Sequence, residues 1–119
     1  MLRALFCACA LGGLPLTAAA FNGTDLVKLC NRTDVPSKSA CQAYIEGAAD
    51  GAYNTIEAIG GTTGPRVGQY FCLPAGTTPE DMTSAVRKWA AANGDKMDYN
   101  ASTVVALGLG ATYACRSEP

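Results

Sequence analysis

Three kinds of side chain in this sequence could do chemistry: cysteines, paired carboxylates, and an arginine set in a glycine-rich stretch. Six cysteines in 119 residues are dense for a short chain and point to an oxidising compartment, where thiols pair as disulfides. There is no histidine. That removes Ser-His-Asp and Cys-His catalysis, His-ligated zinc and histidine-based pH switching. No Cys-x-x-Cys pair offers a redox-active dithiol or a zinc knuckle. Glu46 and Asp50 stand four residues apart in a helical stretch and so share a face. Such a pair could act as acid and base, but the simpler reading is a solvated helix face. No metal and no cofactor are expected.

Lys plus Arg number 9 and Asp plus Glu number 10, a formal net charge of −1. That balance argues against a nucleic-acid binder, which carries a basic face. Apolar residues make up 49% and charged residues 16%, the composition of one ordered domain. Met1-Leu2-Arg3 is a short positive start, Ala4 to Leu14 is apolar, Pro15 ends the run, and Ala18-Ala19-Ala20 gives a small-x-small pattern. Together these read as a secretory signal over residues 1–20 cleaved before Phe21. The apolar run is well short of the roughly 20 residues that span a bilayer. The mature domain, 21–119, is expected to be periplasmic or secreted and free of the membrane. Cys7 and Cys9 leave with the signal, so Cys30, Cys41, Cys72 and Cys115 remain.

The elements that position these cysteines read as helices. Asn22 to Cys30 forms a short helix, with Asn22 or Thr24 as cap and Asp25 in the first turn. Asn31 to Ser37, with Pro36, reads as a loop. Ser37 or Ser39 opens a second helix in which Cys41, Tyr44, Ile45, Ala48, Ala52, Ile56 and Ile59 recur at three- and four-residue steps, up to a stop at Gly60-Gly61. Its small residues, Gly47, Ala48, Ala49, Gly51 and Ala52, suggest close approach to a neighbouring helix or to a second copy of the chain. Glycine inside a helix otherwise costs about 1 kcal/mol. Thr62 to Thr77 is the longest irregular stretch. Thr78-Pro79-Glu80-Asp81 then starts a third helix with cap, proline and acids in order. Met82, Val86, Trp89 and Ala90 form its apolar stripe, and Gly94 ends it. Asp98 or Asn100 caps the last helix, where Val104, Leu107, Gly108, Ala111 and Cys115 fall on one face, with Gly108 and Gly110 interrupting the run.

The fold class expected is all-α: a small disulfide-bonded bundle of about four helices arranged as two helical hairpins. Antiparallel hairpins bring the end of the first helix to the start of the second, and the end of the fourth to the start of the third. The simplest pairing is therefore Cys30–Cys41 and Cys72–Cys115, although four cysteines allow three pairings. On the chain-entropy account the two closed loops would contribute about 3 and about 4 kcal/mol.

Several segments together resemble the Rap/Tai immunity-protein family. They are Phe71-Cys72-Leu73-Pro74-Ala75-Gly76-Thr77-Thr78 with its following amphipathic helix, the terminal Val104-Val105-Ala106-Leu107 and Ala114-Cys115, and Cys41-Gln42-Ala43-Tyr44-Ile45-Glu46-Gly47-Ala48-Ala49-Asp50, which fits Cys-x-x-Tyr-x-x-Gly-x-x-Asp. The resemblance spans nearly the whole mature chain. It departs at the end, where the usual Pro-Cys reads Ala114-Cys115. The best-known members are periplasmic inhibitors of peptidoglycan amidases delivered by type VI secretion. The resemblance implies a small helical, disulfide-bonded, often dimeric domain that inhibits a protein rather than catalysing a reaction. The expected partner is an exported peptidoglycan amidase. Asn22-Gly23-Thr24, Asn31-Arg32-Thr33 and Asn100-Ala101-Ser102 match glycosylation acceptors, read here as chance matches.

Recognition is expected to fall on Gly64 to Tyr70. The segment lacks helical pattern and is held at its far end by Cys72. Arg66 offers a forked set of donors to a carboxylate, and Gln69 and Tyr70 add the polar and aromatic contact common at hot spots. Two other readings stand beside inhibition: a structural or chaperone-like periplasmic protein, which should expose an apolar face, and a small-ligand carrier, which should enclose an apolar pocket.

Overall fold

The computed structural model describes residues 20–60 and 70–115, with side chains at all of these except 56, 57, 59 and 60. The expected signal segment, and Ile56, Ile59, Arg66 and Gln69, thus lie outside the described side chains. Four helices carry the chain: α1 (Gly23–Asn31), α2 (Val35–Gly60), α3 (Pro79–Ala92) and α4 (Ala101–Thr112), with a 3-10 turn at Gly94–Lys96 between α3 and α4. Among the described residues there is no strand, only an isolated antiparallel bridge between Asn22 and Asn100. The fold is all-α, as the helical spacing predicts.

The helices start where side chains satisfy the free N–H groups of a first turn. Asn22 and Asp25 form a capping box on α1, the Asp25 N–H donating to Asn22 Oδ1 at 3.0 Å and the Asn22 N–H to Asp25 Oδ2 at 3.2 Å. The Asn22 side chain of the first glycosylation match is therefore spent on the cap. Thr78 and Asp81 form the same box on α3, with Pro79 at the first helical position. For α2 the boundary differs from the sequence reading, which began the helix at Ser37 or Ser39 and left Pro36 in a loop. The helix begins at Val35. Asp34 is the cap: its Oδ2 accepts the Ser37 N–H at 3.1 Å and the Ser37 hydroxyl at 2.6 Å, while its carbonyl accepts the Lys38 N–H at 3.1 Å. Pro36 fits in that first turn because a proline there forfeits no intrahelical hydrogen bond.

α3 and α4 make the most extensive helix pair, and α1 lies on α2. The bridges Cys30–Cys41 and Cys72–Cys115 close the ends of these two hairpins, with Cα separations of 5.1 and 4.9 Å. This is the pairing that the antiparallel arrangement predicts. Leu26, Ile45, Val86, Val104, Val105 and Leu109 are fully buried between the helices. The N-terminal segment is tied to the far end of the chain: the Gly23 N–H donates to the Tyr99 carbonyl at 2.9 Å, the Thr24 N–H to Met97 at 3.0 Å, and the Ala101 N–H to Phe21 at 3.0 Å.

Two sequence expectations about faces are corrected. On α4 the buried residues are Ala101, Val104, Val105, Gly108 and Leu109, while Leu107 is half-buried and Ala111 exposed. The helix is apolar nearly all round, so periodicity alone did not single out its inner face. On α2, Gly47 and Gly51 are exposed, and a Cβ at either would meet nothing within 4 Å. They make no close contact with the chain's own helices. The close approach occurs instead at Gly108, where a Cβ would lie 2.8 Å from the Val86 Cα. Glycine there lets the α4 backbone touch the α3 backbone.

Two outcomes follow. Gly108→Leu should lower stability by about 1–3 kcal/mol through overpacking against Val86, whereas Gly47→Ala should leave the stability of the single chain unchanged or raise it by up to about 1 kcal/mol; thermal or urea melts of the two variants at concentrations where the chain is monomeric check this. The Ser37 hydroxyl, with Arg32 and the Ser37 N–H, holds the Asp34 pKa down from 3.8 to about 2. The folded value is depressed, so the cap's contribution is complete above the ordinary pKa and is lost as pH falls through about 2. Ser37→Ala should return the Asp34 midpoint towards 3.8 in an NMR titration of its side-chain carboxyl.

Candidate interaction surface

Of the three residues expected to recognise a partner, Arg66 and Gln69 lie outside the described residues. Tyr70 is described and is 57% exposed. Its ring lies over Gly110 of α4, and a Cβ at that glycine would stand 3.0 Å from the Tyr70 carbonyl and inside the ring. The glycine that interrupts the apolar run of α4 thus gives room for the segment entering at Tyr70.

The three residues that follow are anchored by different means. Phe71 is buried, its ring edge-on to Tyr53 with centroids 5.2 Å apart. The Cys72 N–H donates to the Tyr113 carbonyl at 2.8 Å, and Cys72 is bonded to Cys115. The Leu73 N–H donates to Tyr53 Oη at 2.9 Å, and that hydroxyl reaches the Phe71 carbonyl at 3.4 Å. The side chain of Tyr53 therefore replaces the backbone partners that an irregular segment lacks. This anchor was missed in the sequence. A signal for it was present: Cys41, Ile45 and Ala49 recur at strict four-residue steps, and Tyr53 is the next in that row.

Glu46 is half-buried and Asp50 exposed on α2. Neither has a hydrogen-bond or ion-pair partner among the described residues. The pair sits on an open helix face, where nothing excludes water or positions a reacting group. No cluster of three His, Cys, Asp or Glu side chains forms a metal-ligand set among the described residues, and no helix there is long and apolar enough to cross a membrane.

The concavities among the described residues include open grooves between helices. One of about 200 Å³ lies between α2 and α3, edged by Lys38, Gln42, Glu80 and Arg87. Gln42 Nε2 donates to Glu80 Oε1 across it at 3.4 Å. A larger one, about 550 Å³, runs between α1 and the second half of α3, lined by the apolar Val27, Ala90, Ala91 and Met97 and by the cations Arg87 and Lys88. Phe21 meets Tyr44 with ring centroids 5.0 Å apart, and the exposed face of α2 carries the small residues Ala43, Gly47 and Gly51 together with Asp50 and Asn54.

These features define a rigid, disulfide-closed helical scaffold that offers surfaces to another molecule. The family profile of the Rap1a immunity proteins matches residues 22–115. The chain belongs to that family. Membership makes it an immunity protein, a class that acts by binding a secreted effector and points to inhibition rather than catalysis. No curated protein and no solved structure matches the chain.

Tyr53→Phe should leave the Leu73 N–H without its partner in a half-buried site, lowering stability by about 1–3 kcal/mol. Hydrogen exchange at Leu73 should accelerate more than exchange in α1. Unchanged protection at Leu73 would show that the hydroxyl does not hold this segment.

Proposed function

We propose that the protein is exported to the periplasm and there binds and inhibits a peptidoglycan-degrading amidase effector. The observation that carries this reading is the family match over residues 22–115, together with four cysteines in two closed bridges, which suit an oxidising compartment. The recognition element is Gly64 to Tyr70. The anchoring of Phe71, Cys72 and Leu73 supports it, because a segment held firmly at one end loses less entropy on docking. Arg66 then supplies a two-pronged contact to a carboxylate on the enzyme, and Gln69 and Tyr70 flank it.

The test uses an exported amidase encoded in the same genome, purified and assayed on isolated peptidoglycan. An excess of the immunity protein should abolish hydrolysis, and Arg66→Ala and Tyr70→Ala should each weaken binding by about 1–3 kcal/mol. Full hydrolysis in the presence of excess protein would refute the amidase as target. Inhibition that survives both substitutions would move recognition to another surface.

The chain pairs with a second copy through the small-residue face of α2. Among the described residues a Cβ at Gly47 or Gly51 would meet nothing within 4 Å, and such a face lets two helices approach closely. Gly47→Leu should shift the mass in solution to that of a monomer while helical content is kept. A parent protein that sediments as a monomer at high concentration would rule this pairing out.

A further inference from the structure

The larger groove carries more than shape. Arg87 and Lys88 in its lining are exposed and form no ion pair among the described residues, where the one ion pair joins Arg32 to Asp34. No carboxylate lines it. Arg87 also borders the neighbouring groove, where Lys38 adds a third cation and Glu80 is engaged by Gln42. The α1–α3 groove itself thus has two cations, Arg87 and Lys88, and no carboxylate in its lining.

The walls are fixed before any ligand arrives. Met97 is pinned to α1 because its carbonyl accepts both the N–H and, at 3.4 Å, the hydroxyl of Thr24. The end of α3 is closed by Asn93, whose Nδ2 donates to the Trp89 carbonyl at 2.8 Å and whose Oδ1 accepts from Lys96 at 3.3 Å. A preformed apolar lining beside free cations suits a ligand with an apolar side chain next to a carboxylate.

We propose that this groove is a second docking surface, and that its occupant is an acidic segment of a protein partner. A carboxylate meets Arg87 and Lys88 while an adjoining aliphatic side chain rests on Val27, Ala90, Ala91 and Met97. This rests on the reading that the protein works by binding another protein, and it assigns that partner a second, acidic contact remote in sequence from Gly64 to Tyr70. A concave site of this size fits an extended segment better than a flat anionic lipid surface. Arginine prefers such a carboxylate because its fork binds both oxygens.

The experiment titrates 15N-labelled protein with a capped peptide of alternating glutamate and leucine. The amides of Val27, Asn31, Arg87, Lys88 and Gly94 should shift and saturate. A glutamine–leucine peptide should bind at least about tenfold more weakly, and so should the glutamate–leucine peptide to an Arg87→Glu, Lys88→Glu double variant with parental circular dichroism. Arg87→Gln alone gives a milder test on the same surface. Four results would overturn the proposal: no saturable shift, shifts away from the groove, inorganic phosphate moving the same amides as strongly as the peptide, or phosphatidylglycerol vesicles binding the parent but not the variant while the peptide does not bind. Failure of amidase inhibition would leave a positive peptide result standing. Failure of the peptide would remove the groove without touching inhibition through Gly64 to Tyr70.

Discussion

The approach of α4 to α3 at Gly108 governs the rest of the molecule. With no side chain at that position, the α4 backbone can lie against Val86, and Val104, Val105 and Leu109 then reach the buried layer that Leu26 and Ile45 complete from α1 and α2. The Cys72–Cys115 bridge holds the same hairpin shut from its end. Because α4 runs where it does, Gly110 faces Tyr70, Tyr113 receives the Cys72 N–H, and the segment leading into α3 has a wall to lie on. A domain this small buries limited apolar area, so bridges that restrict the unfolded chain carry a large share of its stability.

The proposed contact surfaces adjoin this frame. Tyr53, Phe71 and the Cys72–Cys115 bridge fix one end of the stretch expected to meet the effector. Backbone hydrogen bonds from Gly23 and Thr24 to Tyr99 and Met97 fix α1 beside the 3-10 turn, which shapes the groove next to Arg87 and Lys88. Among the described residues no cluster of side chains could hold a metal. The groove presents Arg87 and Lys88 beside a wall held by hydrogen bonds, and a surface of that kind can bind without a large ordering cost.

Much of this was legible in the sequence because it is local. Capping chemistry marked the start of α3 to the residue and narrowed that of α1 to a cap at Asn22 or Thr24, of which Asn22 is the cap, since a cap and its partner lie three positions apart. The cysteine pairing followed from hairpin ends. What was not legible depends on distant parts of the chain. Asp34 was overlooked as a cap because Pro36 reads as a loop residue unless the helix is already known to begin before it. Gly47 and Gly108 look alike in sequence, and only the tertiary packing shows that the first faces open space and the second faces Val86. The α1–α3 groove joins Val27 to Arg87, a juxtaposition no local pattern encodes.

The central claim is that two closed hairpins, α1–α2 bridged at Cys30–Cys41 and α3–α4 bridged at Cys72–Cys115, frame the described surfaces. Peptide mapping of the unreduced protein tests it most directly. The account predicts one linked pair containing Cys30 with Cys41 and another containing Cys72 with Cys115. A peptide joining Cys30 or Cys41 to Cys72 or Cys115 would contradict it.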